Sequence, residues 1–477
     1  MAVPIDGAVR KALARDSILE HPANDHGNAK RILDLHGGDM FYSYSEHAFK
    51  IWDDKRFARD INGAAMRLAK ATMLRYVEAA LATGDRELIA FAKRSLDHAK
   101  LTSALASLQC ERPAEVQEFD QDRNLLNFMN GTVDLRTGEI AAHDKAQKIT
   151  KLIHYDYKPE ATCPAFLRFL DRVMGGGPDA SEGDLERARS MVNYLQLAIG
   201  YSLTGETSEK AVFIAHGPGS NGKSTLLEVI RQLVPEYSAK ILIDSLMAKP
   251  GGESSNTLTD LADLRGARFV NTSETEHGQR LSEGRLKRIT QGMGTIKSVR
   301  KYENPITFLE THKLWVDANH LPVIAGSENA IWNRLHTIPF TVVIAPEEMD
   351  RQLSTKLLAE AEGILAWCVA GAVRWYADGL KKPVPVTRAS AEWREDSDSL
   401  APFVEEMCEL RPNDAGAWVE IRVLRKAYVD WLQREEEHKR PVSTAEFNAY
   451  LESRGLQRDR RERNTKRVWV GVQFKAK

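Results

Sequence analysis

The stretch GPGSNGKST at residues 217–225 constrains this chain more than any other feature, because it fits one backbone geometry and little else. The apolar run AVFIA before it reads as a buried strand, and the run that follows Lys223 has helical spacing. Gly217, Gly222, Lys223 and Ser224 stand at the G-x-x-x-x-G-K-[ST] spacing. Glycines let a tight loop turn successive N–H groups inward, and a helix starting near Lys223 aims the positive end of its dipole at the same point. The pattern predicts that Gly217, Pro218, Gly219, Ser220, Asn221, Gly222, Lys223, Ser224 and Thr225 cradle the phosphates of ATP. Lys223 is expected on the β- and γ-phosphates and the Ser224 hydroxyl on Mg2+. A glycine-rich turn matching by coincidence would lack the strand before it and the helix after it.

Hydrolysis needs further groups from neighbouring strands. ARFVNTSETEHG (267–278) is an apolar strand running into Glu274 and Glu276, and either carboxylate suits the Mg2+ shell and the attacking water, with Glu274 the first choice as metal ligand. KLWVDANHLP (313–322) leads to Asn319, whose amide suits a γ-phosphate sensor; the plain alternative is an Asn turn before Pro322. Arg334, in IWNRLHTIPF, lies between Trp332 and an apolar strand. It fits either a surface side chain or an arginine finger reaching a neighbour's ATP. The order and spacing of these groups favour function over coincidence.

With 477 residues the chain has room for roughly two to four domains. Residues 1–165 mix strand and helix signals, with hairpins expected at Asp53-Asp54 and near Thr137-Gly138 and an Ala- and Leu-rich helical stretch between them. A helical connector is expected over 166–205 and the ATPase over 206–345, where the short strands AVFIA, ARFVNT, KLWVDAN and HTIPFTVVI alternate with helical runs. Residues 346–395 read as a helical segment and a linker at KKPVPV. The fold class is thus α/β: a P-loop ATPase core with a parallel sheet, a mixed α+β domain before it and a small domain after it. That last domain, 396–477, has two amphipathic helices, the second opened by a capping box at Ser443 and Glu446, and then a basic turn leading into an alternating strand. This pattern predicts a winged helix in which Arg460, Arg461, Arg463, Lys466 and Arg467 meet duplex DNA phosphates; a solvated charged face, partly balanced by Asp459 and Glu462, is the bland alternative.

The 66 basic and 67 acidic residues nearly cancel, so any nucleic-acid surface must be local. Four scattered cysteines form no C-x-x-C pair, which argues against a zinc site or disulfide framework and for reduced, mostly buried thiols. No segment approaches the roughly 18 apolar residues of a membrane span, and a cytoplasmic location is expected.

GPGSNGKST, SETEHG, LKRITQGMGTIKSVRKYENPITF, LWVDANHLPVI and IWNRLHTIPF, in that order, resemble the superfamily 3 helicases of viruses, satellite phages and plasmids, in the branch related to poxvirus-type helicase-primases. NAKRILDLHGGDMFYSYSEHAFKIWDDKRF and NLLNFMNGTVDLRTGEI look like the N-terminal domain that accompanies these motors. The resemblance implies an AAA+ motor with Glu274, or else Glu276, as Walker B acid, Asn319 as sensor and Arg334 as finger. It also implies a hairpin gripping single-stranded DNA in the pore of a hexameric ring, with Lys301 and Tyr302 near its tip and Lys297 or Arg300 at its base. The implied function is ATP-driven unwinding in the replication of a phage, plasmid or integrated element, with a separate primase or polymerase as partner. An initiator or scaffold whose ATPase only assembles the ring is the alternative, and the pore hairpin discriminates the two. A small-molecule kinase is disfavoured by the sensor, the finger and the basic C-terminal unit. The N-terminal residues hold no paired-aspartate strand pattern, so primase activity is not expected of this chain.

Overall fold

A computed structural model describes residues 18–248, 260–272, 279–298, 306–324, 329–398, 400–435, 441–461 and 466–475. The expected site residues Glu274, Glu276, Arg300, Lys301, Tyr302 and Arg463 lie outside these. The chain forms two compact units, Met1–Ala161 with Leu233–Tyr237, and Thr162–Gln232 with Ser238–Lys477. Among the described residues no helix is long and apolar enough to cross a membrane. Cys163, Cys368 and Cys408 are buried free thiols, and Cys110 is exposed.

The first unit is α+β. A three-stranded antiparallel meander, Met40–Ser43, Ala48–Trp52 and Phe57–Arg59, turns through Asp54 in the left-handed region. The helices Asp25–His36, Ala64–Thr83, Arg86–Arg94 and His98–Glu111 share its core. A second meander, Leu125–Phe128, Gly131–Asp134 and Glu139–Ala141, turns at Gly138. Both hairpins fall where the Asp-Asp and Thr-Gly pairs predict them.

In the second unit a sheet of five strands runs in the order Leu335–Pro339, Val212–His216, Lys313–Ala318, Phe269–Thr272, Ser238–Ile241. All its neighbours are parallel. A parallel sheet covered on both faces needs apolar residues at nearly every position, which is why these strands read as continuous runs. On one face Val212, Ile214, Val270, Leu314, Val316 and Leu335 join one apolar core cluster. On the other, Trp315 stacks between Phe213 and Phe269 at centroid distances of 4.5 and 5.7 Å. The Trp315 indole N–H donates to Ser202 Oγ at 2.9 Å, fastening the helix Glu182–Leu203 over that face. Arg268 donates to Leu203 O at 2.9 Å, and Lys313 to Thr204 O and to Glu206 O at 3.1 Å, placing two cations at the helix's negative end.

The helix Ala361–Asp378 packs on Glu182–Leu203 at backbone distance. A Cβ on Gly200 would overlap the Ala372 amide and the Gly371 carbonyl carbon, and one on Gly371 would overlap Gln196 O. Two expectations need correction here. The strand expected over HTIPFTVVI ends at Pro339, because the chain then crosses the phosphate loop, where the Ile344 N–H donates to Ser220 O at 2.8 Å. The linker at KKPVPV is only partly one: Val384–Ser397 is a helix with Pro383 at its N-cap. Proline is tolerated there because the first-turn N–H groups have no intrahelical acceptor.

Beyond it, the helix Ala401–Met407, the strand Trp418–Glu420, the helices Ile421–Glu435 and Thr444–Ser453 and the strands Gln457–Arg461 and Lys466–Val470 follow a winged-helix order. Ser443 and Glu446 form the expected capping box. Phe403, Leu424, Tyr428, Trp431, Phe447 and Trp469 fill this domain's own core.

Between the third and fourth motor strands in sequence, Thr295–Ser298 pairs antiparallel with Ile306–Leu309. Glu310 ends this hairpin with its carboxylate turned inward, 2% exposed, accepting from the Gly292 N–H at 3.1 Å. Burial pushes its carboxyl up to about 7, against the pull of the backbone N–H groups and of Lys313 and Arg334.

Gly200→Ala is expected to force the helix pair apart and lower stability by about 1–3 kcal/mol or more, read from urea unfolding. For Glu310, a carboxyl raised from 4.5 to about 7 on folding contributes stability that is present below 4.5 and lost as pH rises to about 7. Glu310→Gln removes that term. The melting temperature of the wild type is expected to fall relative to the variant as pH rises across that window, and parallel profiles would show the burial to be neutral.

Candidate nucleotide site

The phosphate loop follows the Val212–His216 strand, and the helix Lys223–Leu233 begins at its lysine. Gly222 sits at φ +83°, with space for a Cβ closed by Val173 and Phe169, and Ser220 adopts φ +59°. At Gly217 a Cβ would overlap Phe340 O. Asn221 ties the loop down: its Nδ2 donates to Phe340 O at 3.0 Å, and its Oδ1 accepts from Lys223. Pro218, Gly219 and Ser220 remain exposed at the rim.

Lys223 is 2% exposed. Its Nζ donates to Gly217 O at 2.7 Å, Pro218 O at 3.2 Å, Asn221 Oδ1 at 3.0 Å and Asn319 Oδ1 at 3.1 Å. The Asn319 bond brings the expected sensor onto the loop lysine. Two residues earlier, on the Lys313–Ala318 strand that Asn319 directly follows, Asp317 accepts a hydrogen bond from Ser224 Oγ at 2.5 Å and is 5% exposed. The end of this strand and the residue just past it thus address Ser224 and Lys223 of the loop. Sequence reading missed Asp317, although its spacing from Asn319 was the available signal.

His216 closes the strand beneath the loop. Burial, then the charges of Lys223 and His320, hold its imidazole below the usual range. Thr272, which ends the strand leading to Glu274 and Glu276, is buried. That strand is separated from the loop strand by Lys313–Ala318.

Arg334 is half-buried and engaged within its own chain, donating to the Thr290 carbonyl and, at 3.1 Å, to the Thr290 hydroxyl. Thr290 caps the helix Glu283–Ile289, just ahead of the Thr295–Ser298 hairpin strand. Lys297 lies exposed on that strand opposite Thr307. The wing brings Arg460 opposite Arg467 and Arg461 opposite Lys466. Arg461 also donates to Ala415 O at 3.1 Å and lies 3.5 Å from Asp459, whereas Arg460 and Arg467 are exposed and have no ion-pair partner among the described residues.

Residues 29–175 match the family described as D5 N terminal like, and residues 215–334 match a family of unknown function, DUF5906. A helicase-named protein of Acanthamoeba polyphaga mimivirus, L207/L206, is 26% identical over 61% of this chain and 31% of its own length. Another helicase-named protein, 184R of Invertebrate iridescent virus 6, is 22% identical over 68% of this chain and 36% of its own. The chain thus spans about a third of the length of these relatives. Among solved structures, the C-terminal region of NrS-1 aligns with a TM-score of 0.42 at 14% identity, over 67% of this chain and 78% of that one. The D5-type N-terminal match, the helicase-named viral relatives and the glycine-rich loop set in a five-stranded parallel sheet make the chain similar to superfamily 3 helicases and helicase-primases.

Proposed function

We propose that this chain is an ATP-driven DNA helicase motor that acts as a hexameric ring in the replication of a phage, plasmid or integrated element. The observation that carries the reading is the convergence of Asp317, Asn319, Ser224 and Lys223 on one point of the loop. Lys223 gives up carbonyl partners to neutralise charge on the β- and γ-phosphates, and Asn319, already bonded to its ammonium, reports whether the γ-phosphate is there.

The donors at the loop fit Mg2+, a hard cation that takes oxygen ligands: a serine hydroxyl with a carboxylate behind it. Ser224 would hold the ion, with Glu274 or Glu276 completing the shell, and the bound ion supplies charge neutralisation on the phosphoryl oxygens. Of the two acids, Glu274 is nearer in sequence to the strand end and is assigned the attacking water.

Strand separation is assigned to the hairpin whose base is Thr295–Ser298 and Ile306–Leu309, and contact with single-stranded DNA to Lys297, Arg300, Lys301 and Tyr302. Duplex is assigned to the wing. Like charges directly opposite on a two-stranded ribbon disfavour the fold, and the unmatched Arg460 and Arg467 are accounted for by a polyanion that lies across them. Arg334 is assigned as a finger, which requires it to leave Thr290 for a neighbouring subunit's ATP.

Lys223→Ala is expected to abolish ATP hydrolysis and unwinding of a forked duplex while leaving duplex binding through the wing intact. A Lys223→Ala protein with wild-type ATPase would remove the loop from the chemistry. Arg460→Ala with Arg467→Ala is expected to reduce the slope of log K against log salt by about 0.9 for each phosphate no longer neutralised, measured on duplex DNA by fluorescence anisotropy. An unchanged slope assigns the wing to solvent.

A further inference from the structure

We infer that Asp317 is a positioning residue for the divalent cation: it takes the Ser224 hydroxyl proton in a hydrogen bond, so that the oxygen lone pairs of Ser224 face the metal. The inference rests on the nucleotide-site reading above and adds to it an acid on the sensor strand, separate from Glu274 and Glu276.

A serine oxygen that ligates a cation uses a lone pair, and its O–H must then point away from the ion to an acceptor. Ser224 Oγ has that acceptor in Asp317 Oδ2 at 2.5 Å, a length typical of a hydroxyl donating to a charged oxygen. A carboxylate in this position makes the serine oxygen a better ligand, as outer-shell carboxylates do for metal-bound histidines. Place in the fold fixes the pair. Asp317 is on the strand immediately beside the loop strand, in register with Ala215, and Ser224 is the second residue of the helix that starts at Lys223. The side chain is 5% exposed. Burying a carboxylate is costly unless something compensates it, and packing alone would be met more cheaply by an apolar residue at this position, as at Val316 and Ala318 beside it.

A residue of the strand and one just past its end then divide the work. Asn319 addresses the lysine that meets the phosphates, and Asp317 addresses the serine that meets the metal. They are two residues apart and each bonded to the loop, so a displacement of the strand end alters phosphate and metal contacts together.

The test is binding of a fluorescent ADP with Mg2+ and with EDTA, to wild type, Lys223→Ala, Ser224→Ala, Asp317→Asn, Asp317→Ser and the double variant Ser224→Ala with Asp317→Asn. Asp317→Asn is expected to weaken Mg2+ in the nucleotide complex by roughly 10–100-fold, the usual loss for an outer-shell partner, and to leave affinity in EDTA unchanged. Combined with Ser224→Ala it should add nothing further, since the two act through one oxygen. Thermal melting establishes that each variant is folded, and either Asp317 variant alone decides. Retention of the full Mg2+ enhancement, equal losses with Mg2+ and EDTA, or additive losses in the double variant would overturn the assignment. Wild-type binding in EDTA that is lost in Lys223→Ala upholds the nucleotide site whatever Asp317 does, and absence of wild-type binding overturns both.

Discussion

The strand Lys313–Ala318 is the constraint on which the rest of the second unit depends. It lies between the loop strand and the strand leading to the acids, so its two faces are both buried and every side chain must be matched. Leu314, Val316 and Ala318 are apolar and enter the main core. The other face, Lys313, Trp315 and Asp317, is not uniformly apolar, and each member has a dedicated partner: a helix end for Lys313, Ser202 for Trp315 and Ser224 for Asp317. Polar groups placed so deep are tolerated only when satisfied, and that requirement positions the helix, the sheet and the loop against one another.

The same strand joins the candidate DNA hairpin to the phosphate loop. Ile306–Leu309 leads through Glu310, Thr311 and His312 directly into it. His312 donates from Nε2 to Ile289 O at 3.0 Å, with burial pushing its imidazole down to about 4, while Glu310 is tied to Gly292 and Thr311 to Ala267 O at 2.8 Å. Three consecutive side chains therefore clamp the connection between hairpin and sensor strand to the helix Glu283–Ile289 and to the start of the Phe269–Thr272 strand. A stiff connection of this kind transmits displacement, whereas a flexible one would absorb it. In the proposed motor, loss of the γ-phosphate at Asn319 and movement at the hairpin are then two ends of one rigid segment.

Much of this architecture is legible in the sequence because it is repetitive. Continuous apolar runs mark the parallel strands, and GPGSNGKST, Asn319 and the capping box of Ser443 and Glu446 each have a local signature. What escapes such a reading depends on partners far away in sequence. Asp317 is an ordinary strand residue until Ser224 comes beside it, and Glu310 a surface acid until the fold closes over it. Pro383 and Pro385 suggest a linker because proline punctuates chains, and only the helix that follows shows that they occupy its start. Close approach of Gly200 to Gly371 has no local signal, since each glycine matters only for the backbone opposite.

Arg334 has one observed arrangement, and the proposed finger role would need a second. Bound to Thr290, its guanidinium satisfies carbonyl and hydroxyl acceptors at the end of the helix Glu283–Ile289, which leads into the hairpin. Hydrogen bonds to a charged group contribute about 1.5–3 kcal/mol, enough to favour this placement over solvent. The finger role and the Thr290 bond exclude each other, because one guanidinium cannot occupy both positions. In the proposed ring, a neighbour's ATP that drew Arg334 away would also free the end of the helix Glu283–Ile289, so nucleotide occupancy in one subunit would bear on the proposed DNA element of the next. That route runs through subunit contacts, and the one through Asn319 stays within a subunit. The two meet at the same short stretch, Thr290 to Glu310, which makes the base of the hairpin the place where a ring of such chains would combine its signals.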